Sequence, residues 1–225
     1  MERTQKLIEH FTKKLPKTNS YNSVDTILLE KYKDNLPERL LKIWQIDGFR
    51  AYGDSIVWTV NPKEYEEVLE VYLKDTPFAQ IDAFHVFMRG AFGDFYAIGE
   101  KTGGVITIDT PYNAIVALQN NFKKLRPLKK QNSVIESKFM VKKDKFDYFD
   151  IKTNQSLFDQ AYEKFGMLKA DEVYAFKRRL CDGGVPTIDN IQVENIFEYI
   201  LDIRERCGTP KVPFAGVDID VDKLV

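Results

Sequence analysis

Sulfur and imidazole are scarce in this chain. Its 225 residues include two cysteines, Cys181 and Cys207, and two histidines, His10 and His85. Two thiols far apart in sequence make neither a metal-ligand cluster nor a disulfide framework, so both are expected as reduced, buried or half-buried side chains. Neither histidine has a second ligand at metal-binding spacing. His10 falls in a helical pattern and His85 in an alternating one, which points to structural or surface roles. No metal and no cofactor is expected. Long apolar runs are missing as well. None is long enough to cross a bilayer, and Met1 to Lys6 lead straight into an amphipathic segment instead of a signal peptide. A cytosolic protein without membrane contact is the resulting expectation.

Charge of one sign is also missing. The 33 basic and 34 acidic residues leave a net charge of −1. A dedicated nucleic-acid binder is normally basic, so direct binding of DNA or RNA is not expected from the overall balance. The basic run from Lys123 to Lys130 reads as a solvated face or connection, since Phe122 is the one aromatic beside it.

The familiar chemical motifs fail one by one. Gly90 and Gly93 lack the strand–GxGxxG–helix setting of a dinucleotide fingerprint. Gly183-Gly184 is too short for a phosphate loop and no Lys-Ser/Thr follows, so a tight turn is expected. Asp171 and Glu172 are adjacent, and adjacent side chains diverge in a strand or a helix, whereas two-carboxylate chemistry needs convergent groups. Asp218, Asp220 and Asp222 alternate with apolar residues. A calcium loop requires glycine at its sixth position, where this chain has Lys223, so a strand with one acidic face is expected. No set of nucleophile, histidine and carboxylate is apparent.

What the chain does have is size enough to bury a core, and a clear alternation of patterns: 44% of its residues are hydrophobic and 30% charged, as in ordinary globular proteins. Leu7, Ile8, Phe11 and Leu15 fall at helical spacing before Pro16. Val24 to Tyr32 predicts a second helix with Ser23 as N-cap. Pro37 suits the first turn of a third, carrying Leu40, Leu41 and Trp44 and stopped at Asp47-Gly48. Ser55 to Val60 reads as a strand, and Asn61-Pro62 opens a helix with Tyr65, Val68, Leu69 and Tyr72 inward. Strands are expected at Ala83–Arg89, Asp94–Glu100 and Val105–Asp109. A basic, turn-rich connection is expected between about Asn120 and Lys145. Beyond it come a helix over Asn154–Phe165, a short turn leading into a strand over Asp171–Phe176 and a helix over Val193–Arg206. Trp44 and Trp58 are expected to be buried. Helices and strands are partly segregated, so the class is α+β: N-terminal helices packed on an antiparallel sheet, with a smaller, mostly helical C-terminal α+β unit.

Three signatures carry a resemblance. The first runs from Leu36-Pro37 through Leu40-Leu41 and Trp44 to Gly48-Phe49, Val57-Trp58 and Asn61-Pro62. The second is Arg89-Gly90-Ala91-Phe92-Gly93-Asp94. Both resemble the GAD-like domain, so named for its similarity to a domain inserted in certain aminoacyl-tRNA synthetases and amidotransferases. The third runs from Phe165-Gly166 through Asp171-Glu172, Tyr174 and Phe176 to Gly183-Gly184. It is similar to the C-terminal domain of immunity proteins that neutralise DNase toxins of type VI secretion systems. The resemblance implies a GAD-like unit over residues 1–125 and an immunity-type unit over 126–225. It implies no enzyme, but a protein that binds and blocks a cognate nuclease toxin. Where the family has an apolar, proline-containing segment before the glycine pair, this chain reads Lys177-Arg178-Arg179-Leu180, which bears on partner choice. The residues expected to contact the partner are charged or aromatic and lie in turns: Arg50, Tyr52, Asp54, Arg89, Asp94, Asp171, Glu172, Arg178 and Arg179. The alternative reading is a nucleic-acid-associated accessory domain, prompted by the synthetase connection and the basic middle segment.

Overall fold

A computed structural model of the chain describes residues 2–212. The expected acidic strand at Asp218, Asp220 and Asp222 lies outside the described residues. Seven strands follow one another in chain order across one antiparallel sheet: β1 (Lys17–Asn22), β2 (Phe49–Tyr52), β3 (Val57–Thr59), β4 (Phe84–Gly90), β5 (Phe95–Gly99), β6 (Val105–Asp109) and β7 (Ala114–Val116). Antiparallel neighbours can be joined by short turns, so this order needs no crossover. The register places Ala51, Trp58, Arg89, Phe95, Ile108 and Ile115 side by side in one row across β2 to β7. Thr59, Met88, Tyr96, Thr107 and Val116 form a row on the opposite face.

Helices cover both faces. Against the Arg89 row lie α4 (Glu66–Leu73) and, beyond it, α8 (Ile196–Cys207), with Tyr65 and Tyr72 edge-on or tilted to Phe95 and Phe197 against Tyr65. Towards the other face lie α1 (Glu2–Lys14), α3 (Glu38–Asp47) and α6 (Leu128–Lys138), which pack on one another; Phe11 of α1 meets both Tyr52 and Phe139. Two shorter helices, α2 (Thr26–Tyr32) and α5 (Phe78–Ile81), lead into α3 and β4. Trp44 and Trp58 are buried, as their patterns require, and one cluster of buried apolar residues runs from Leu7 to Ile203.

The C-terminal part holds α7 (Leu157–Phe165), the antiparallel pair β8 (Glu172–Phe176) and β9 (Ile191–Asn195), and α8. The architecture is therefore the expected α+β arrangement, with several local differences. Strands β1, β2 and β7 carry no alternating apolar signal strong enough to be seen: β1 reads Lys-Thr-Asn-Ser-Tyr-Asn and is mostly exposed at the sheet edge. Asp25, not Ser23, caps α2 by accepting from the Ile27 N–H. Residues 191–195 form β9 because the Asn195 side chain accepts from the N–H groups of Phe197 and Glu198 and starts α8 at Ile196. The stretch read as a basic connection contains α6, and its apolar residues Phe122, Ile135, Phe139 and Phe146 all enter the core. The cysteines need the largest correction. Cys181 and Cys207 are bonded to each other, with Cα atoms 6.2 Å apart. The turn after β8 and the end of α8 meet in space, which a separation of 26 residues does not reveal.

Candidate interaction surface and the joint behind it

The nine residues expected at a partner interface do not share one environment. Asp54, Asp171 and Arg178 are exposed, and Arg50 and Glu172 are partly covered. Tyr52, Arg89 and Asp94 are buried, and the Arg179 side chain keeps only 11% of its exposure. The expectation that all nine stand on the surface is thus corrected for these four, and the reason is visible in their partners.

Tyr52 donates to Asp47 Oδ2 at 2.6 Å, inside a buried group in which Lys17 also pairs with Asp47. Arg50 donates to the Asp47 carbonyl at 2.9 Å and lies over the Tyr21 ring. Arg179 holds Glu194 with two bonds of 2.8 and 2.9 Å and Asp202 with one of 2.7 Å, while its guanidinium covers the Tyr199 ring at 4.7 Å. Burial alone would lower the Arg179 pKa, but the two carboxylates outweigh that and raise it. Arg179, in the basic segment before the glycine pair, is therefore an internal clamp between β9 and α8. Its neighbour Arg178 is exposed, and the chain folds back over the Arg178 carbonyl: a Cβ at Gly184 would stand 2.0 Å from that oxygen. Only glycine fits there.

The second signature, residues 89–94, is a joint. Arg89 lies wholly inside, donating to the carbonyls of Ala170 at 3.0 Å and Lys169 at 3.3 Å. The Ala91 carbonyl accepts from the Tyr174 N–H at 2.9 Å. Phe92 stacks on Phe176 and meets the edge of Tyr148. Gly93, at φ +92°, lies under the Tyr199 ring, with room for a Cβ only 3.1 Å away. Asp94 accepts from the Tyr148 hydroxyl at 3.0 Å. Each residue of the signature but Gly90 thus touches the C-terminal part. The turn before it adds a further tie. Asp54 and Ser55 both have positive φ, +59° and +79°, a conformation costing on the order of 1–3 kcal/mol. That turn points the buried Ser55 hydroxyl at the Leu168 N–H, which donates to it at 3.1 Å.

Two features were not legible as sites. The first is a cavity of about 490 Å³ between the Met88–Thr107 row and the segment leading to Tyr148. Asp94 and Asp109 line it and both lie within 3.1 Å of the Tyr148 hydroxyl. Burial pushes both carboxyls above their ordinary range, Asp109 raises Asp94 further, and the Tyr148 hydroxyl opposes the shift at both. The second is an exposed apolar loop. Asp150 is buried and accepts from the N–H groups of Lys152, Thr153 and Ile188 at 2.7–3.2 Å. Those donors hold its carboxyl below the usual value against the opposing effect of desolvation. On either side, Phe149 and Ile151 remain 62% and 63% exposed. The Asp-Tyr-Phe-Asp-Ile run at 147–151 carries both features, yet it lies outside all three signatures.

Among the described residues no helix is long and apolar enough to cross a membrane. No curated protein sequence matches the chain. The crystal structure of Atu4351 from Agrobacterium tumefaciens is similar, with a TM-score of 0.74 and 18% sequence identity, over 88% of this chain and 88% of that one. At that identity the likeness speaks for the fold. Residues 6–112 match the GAD-like domain. Residues 134–202 match the C-terminal domain of the T6SS immunity protein Tdi1. In chain order, then, a stretch similar to the GAD-like domain is followed by one similar to the C-terminal domain of the T6SS immunity protein Tdi1.

Proposed function

We propose that the protein is an immunity protein that binds a nuclease toxin of a type VI secretion system, a DNase, and neutralises it by protein–protein contact without chemistry of its own. The match of residues 134–202 to the Tdi1 C-terminal domain carries this reading. Residues 1–125 serve as the scaffold unit and residues 126–225 as the unit that supplies most contacts. The joint at 89–94 fixes one against the other. The contact set combines Phe149 and Ile151 with the exposed charges Asp54, Asp171 and Arg178 and the half-covered Arg50 and Glu172. Apolar side chains on a loop locked by Asp150 suit recognition, because little order is lost on binding. Tyr52, Arg89, Asp94 and Arg179 contribute by holding that surface in shape. Blocking a DNase places the protein in the cytoplasm, where the DNA is.

The alternative of a nucleic-acid accessory domain gains no support from the basic middle segment, whose Phe122, Phe139 and Phe146 are buried and offer no stacking platform. Co-expression with the toxin encoded beside this protein tests the proposal. Growth should be rescued and the two chains should co-purify. Failure of both, across the nuclease toxins of the matching type, overturns it.

A further inference from the structure

The cavity beside Tyr148 has ionisable groups of both signs with no oppositely charged partner among the described residues. At one end, Asp94 and Asp109 share the Tyr148 hydroxyl at 3.0 and 3.1 Å. A single phenolic proton can serve one of them. Asp94 is 8% exposed, and its Oδ2 has no hydrogen bond among the described residues. Further along, Lys138 lines the same cavity with its ammonium 5.4 Å from the Tyr96 ring and no carboxylate in contact among the described residues. Thr107 and Asp109 point to one side of β6, two residues or about 7 Å apart. Lys138 borders the cavity at the Thr107 and Val116 end, where it also lines a neighbouring hollow with those two residues. The opposite charges are therefore held apart along a floor made by Met88, Tyr96 and Thr107.

The remaining ionisable groups of the cavity do not close the gap. Asp147 is engaged by Ser156 Oγ and by the N–H groups of Tyr148 and Phe158. Lys145 is exposed at the rim and adds a second cation. Ionising such groups without a counter-charge is costly, and a ligand that brings both signs removes that cost at both ends. The volume is in the range of small-molecule sites, and the aromatic rings suit an ammonium.

We propose that this cavity binds a small zwitterion, an ω-amino acid or a short peptide, with its ammonium between Asp94 and Asp109 and its carboxylate at Lys138. This site is separate from the toxin-binding reading and stands or falls without it. Burial favours the protonated form of the two acids, so entry of an ammonium displaces a proton, and binding strengthens as pH rises above the ordinary carboxylate range.

The test is calorimetric titration of the full chain with 6-aminohexanoate and with triglycine, beside the half-ligands hexylamine and hexanoate. At least one zwitterion should bind at least about tenfold tighter than either half-ligand; the tighter of the two shows whether a free amino acid or a peptide end is preferred. Lys138→Met should remove the advantage over hexylamine, and Asp109→Asn the advantage over hexanoate, with thermal unfolding checked for each variant. Should Asp109→Asn fail to fold, the half-covered Lys138 and the wild-type comparison still decide. No saturable binding of either zwitterion, half-ligands that bind equally well, or a preference that survives Lys138→Met overturns the proposal.

Discussion

The Arg89 guanidinium lies over the Trp58 ring, 4.5 Å from its centroid, and among the described residues it has no carboxylate partner. Burial pushes its pKa down, yet an arginine stays charged in any ordinary solvent. The charge is spread over the indole face and over backbone carbonyls of the 169–170 turn. This explains why an arginine stands in a row otherwise filled by Ala51, Trp58, Phe95, Ile108 and Ile115. Its planar fork reaches carbonyls that belong to the other part of the chain, which a lysine cannot match.

Arg89→Ala should therefore destabilise the whole molecule by roughly 2–4 kcal/mol, through a cavity and the Ala170 carbonyl left without its donor. The midpoint of denaturant unfolding measures the loss. Hydrogen exchange adds a local readout, since amides from Leu168 to Tyr174 should lose protection first. An unchanged midpoint with unchanged exchange would show that the joint does not depend on Arg89.

A second prediction concerns pH. Asp94 and Asp109 have folded pKa values raised by burial, and the neighbouring Asp109 raises Asp94 further. A raised acid binds its proton more tightly in the folded than in the unfolded chain. Its contribution is thus fully present below the unfolded value, about 4, and is lost as pH rises through the raised folded value. Asp150 works in the opposite sense: its lowered carboxyl adds stability above the ordinary value and loses it on acidification. Stability from the two acids should therefore fall as pH rises above the ordinary carboxylate value, about 4, and Asp94→Asn should flatten that slope. Unfolding midpoints across the pH series decide the matter, and parallel slopes for the two proteins would count against a raised Asp94 carboxyl in the folded chain.

The disulfide leads to a third prediction. Cys181–Cys207 closes a separation of 26 residues and fixes the end of α8 near the β6–β7 turn, where Asn113 donates to the carbonyls of Cys207 and Gly208 at 3.1 Å. Replacing both cysteines by serine should cost about 3 kcal/mol. Reductant should lower the wild-type midpoint by a similar amount and leave the double variant unmoved. Disulfides persist in oxidising compartments, whereas the cytoplasm, proposed above as the place of action, is rich in reducing thiols. Alkylation of free thiols in intact cells, read by mass spectrometry, shows which condition the protein meets; two alkylated cysteines would make the bond irrelevant to its function there.

Much of the scaffold could be read from local pattern. The Leu-Pro-x-x-Leu-Leu run fixes α3 because proline tolerates the helix start and the leucines recur on one side. Asn61 starts the next helical turn through its own side chain, which accepts from the Lys63 N–H. What escaped was long-range. Polar β1 pairs with β2 with nothing in its own sequence to require it. Arginine and aspartate are surface residues by default, so a sequence cannot show that Arg89, Asp94 and Arg179 face inward onto partners many residues away. Their turns looked like contact sites because charge, glycine and aromatics cluster there; the same cluster is what a tightly packed joint needs. Asp150 gave no signal either, since its three donors converge only once residues 150–153 meet Ile188.

The last prediction separates contact from support. Phe149 and Ile151 are exposed on a loop whose shape depends on Asp150, so truncating them should leave folding nearly unchanged. If the toxin covers this loop, Phe149→Ala should weaken the complex by at least about 2 kcal/mol, roughly thirtyfold in Kd. The two arginines before the glycine pair provide the contrast. Arg178→Glu alters an exposed charge and should act on affinity with little change in the unfolding midpoint. Arg179→Glu places an acid against Glu194 and Asp202, breaks a partly buried network, and should lower the midpoint before any effect on binding is considered. Titration of each purified variant with the toxin, beside its unfolding curve, distinguishes the two. Affinity unaltered by Phe149→Ala, Ile151→Ala and Arg178→Glu would remove this loop and turn from the interface, and with them the claim that the C-terminal unit makes contact through these residues.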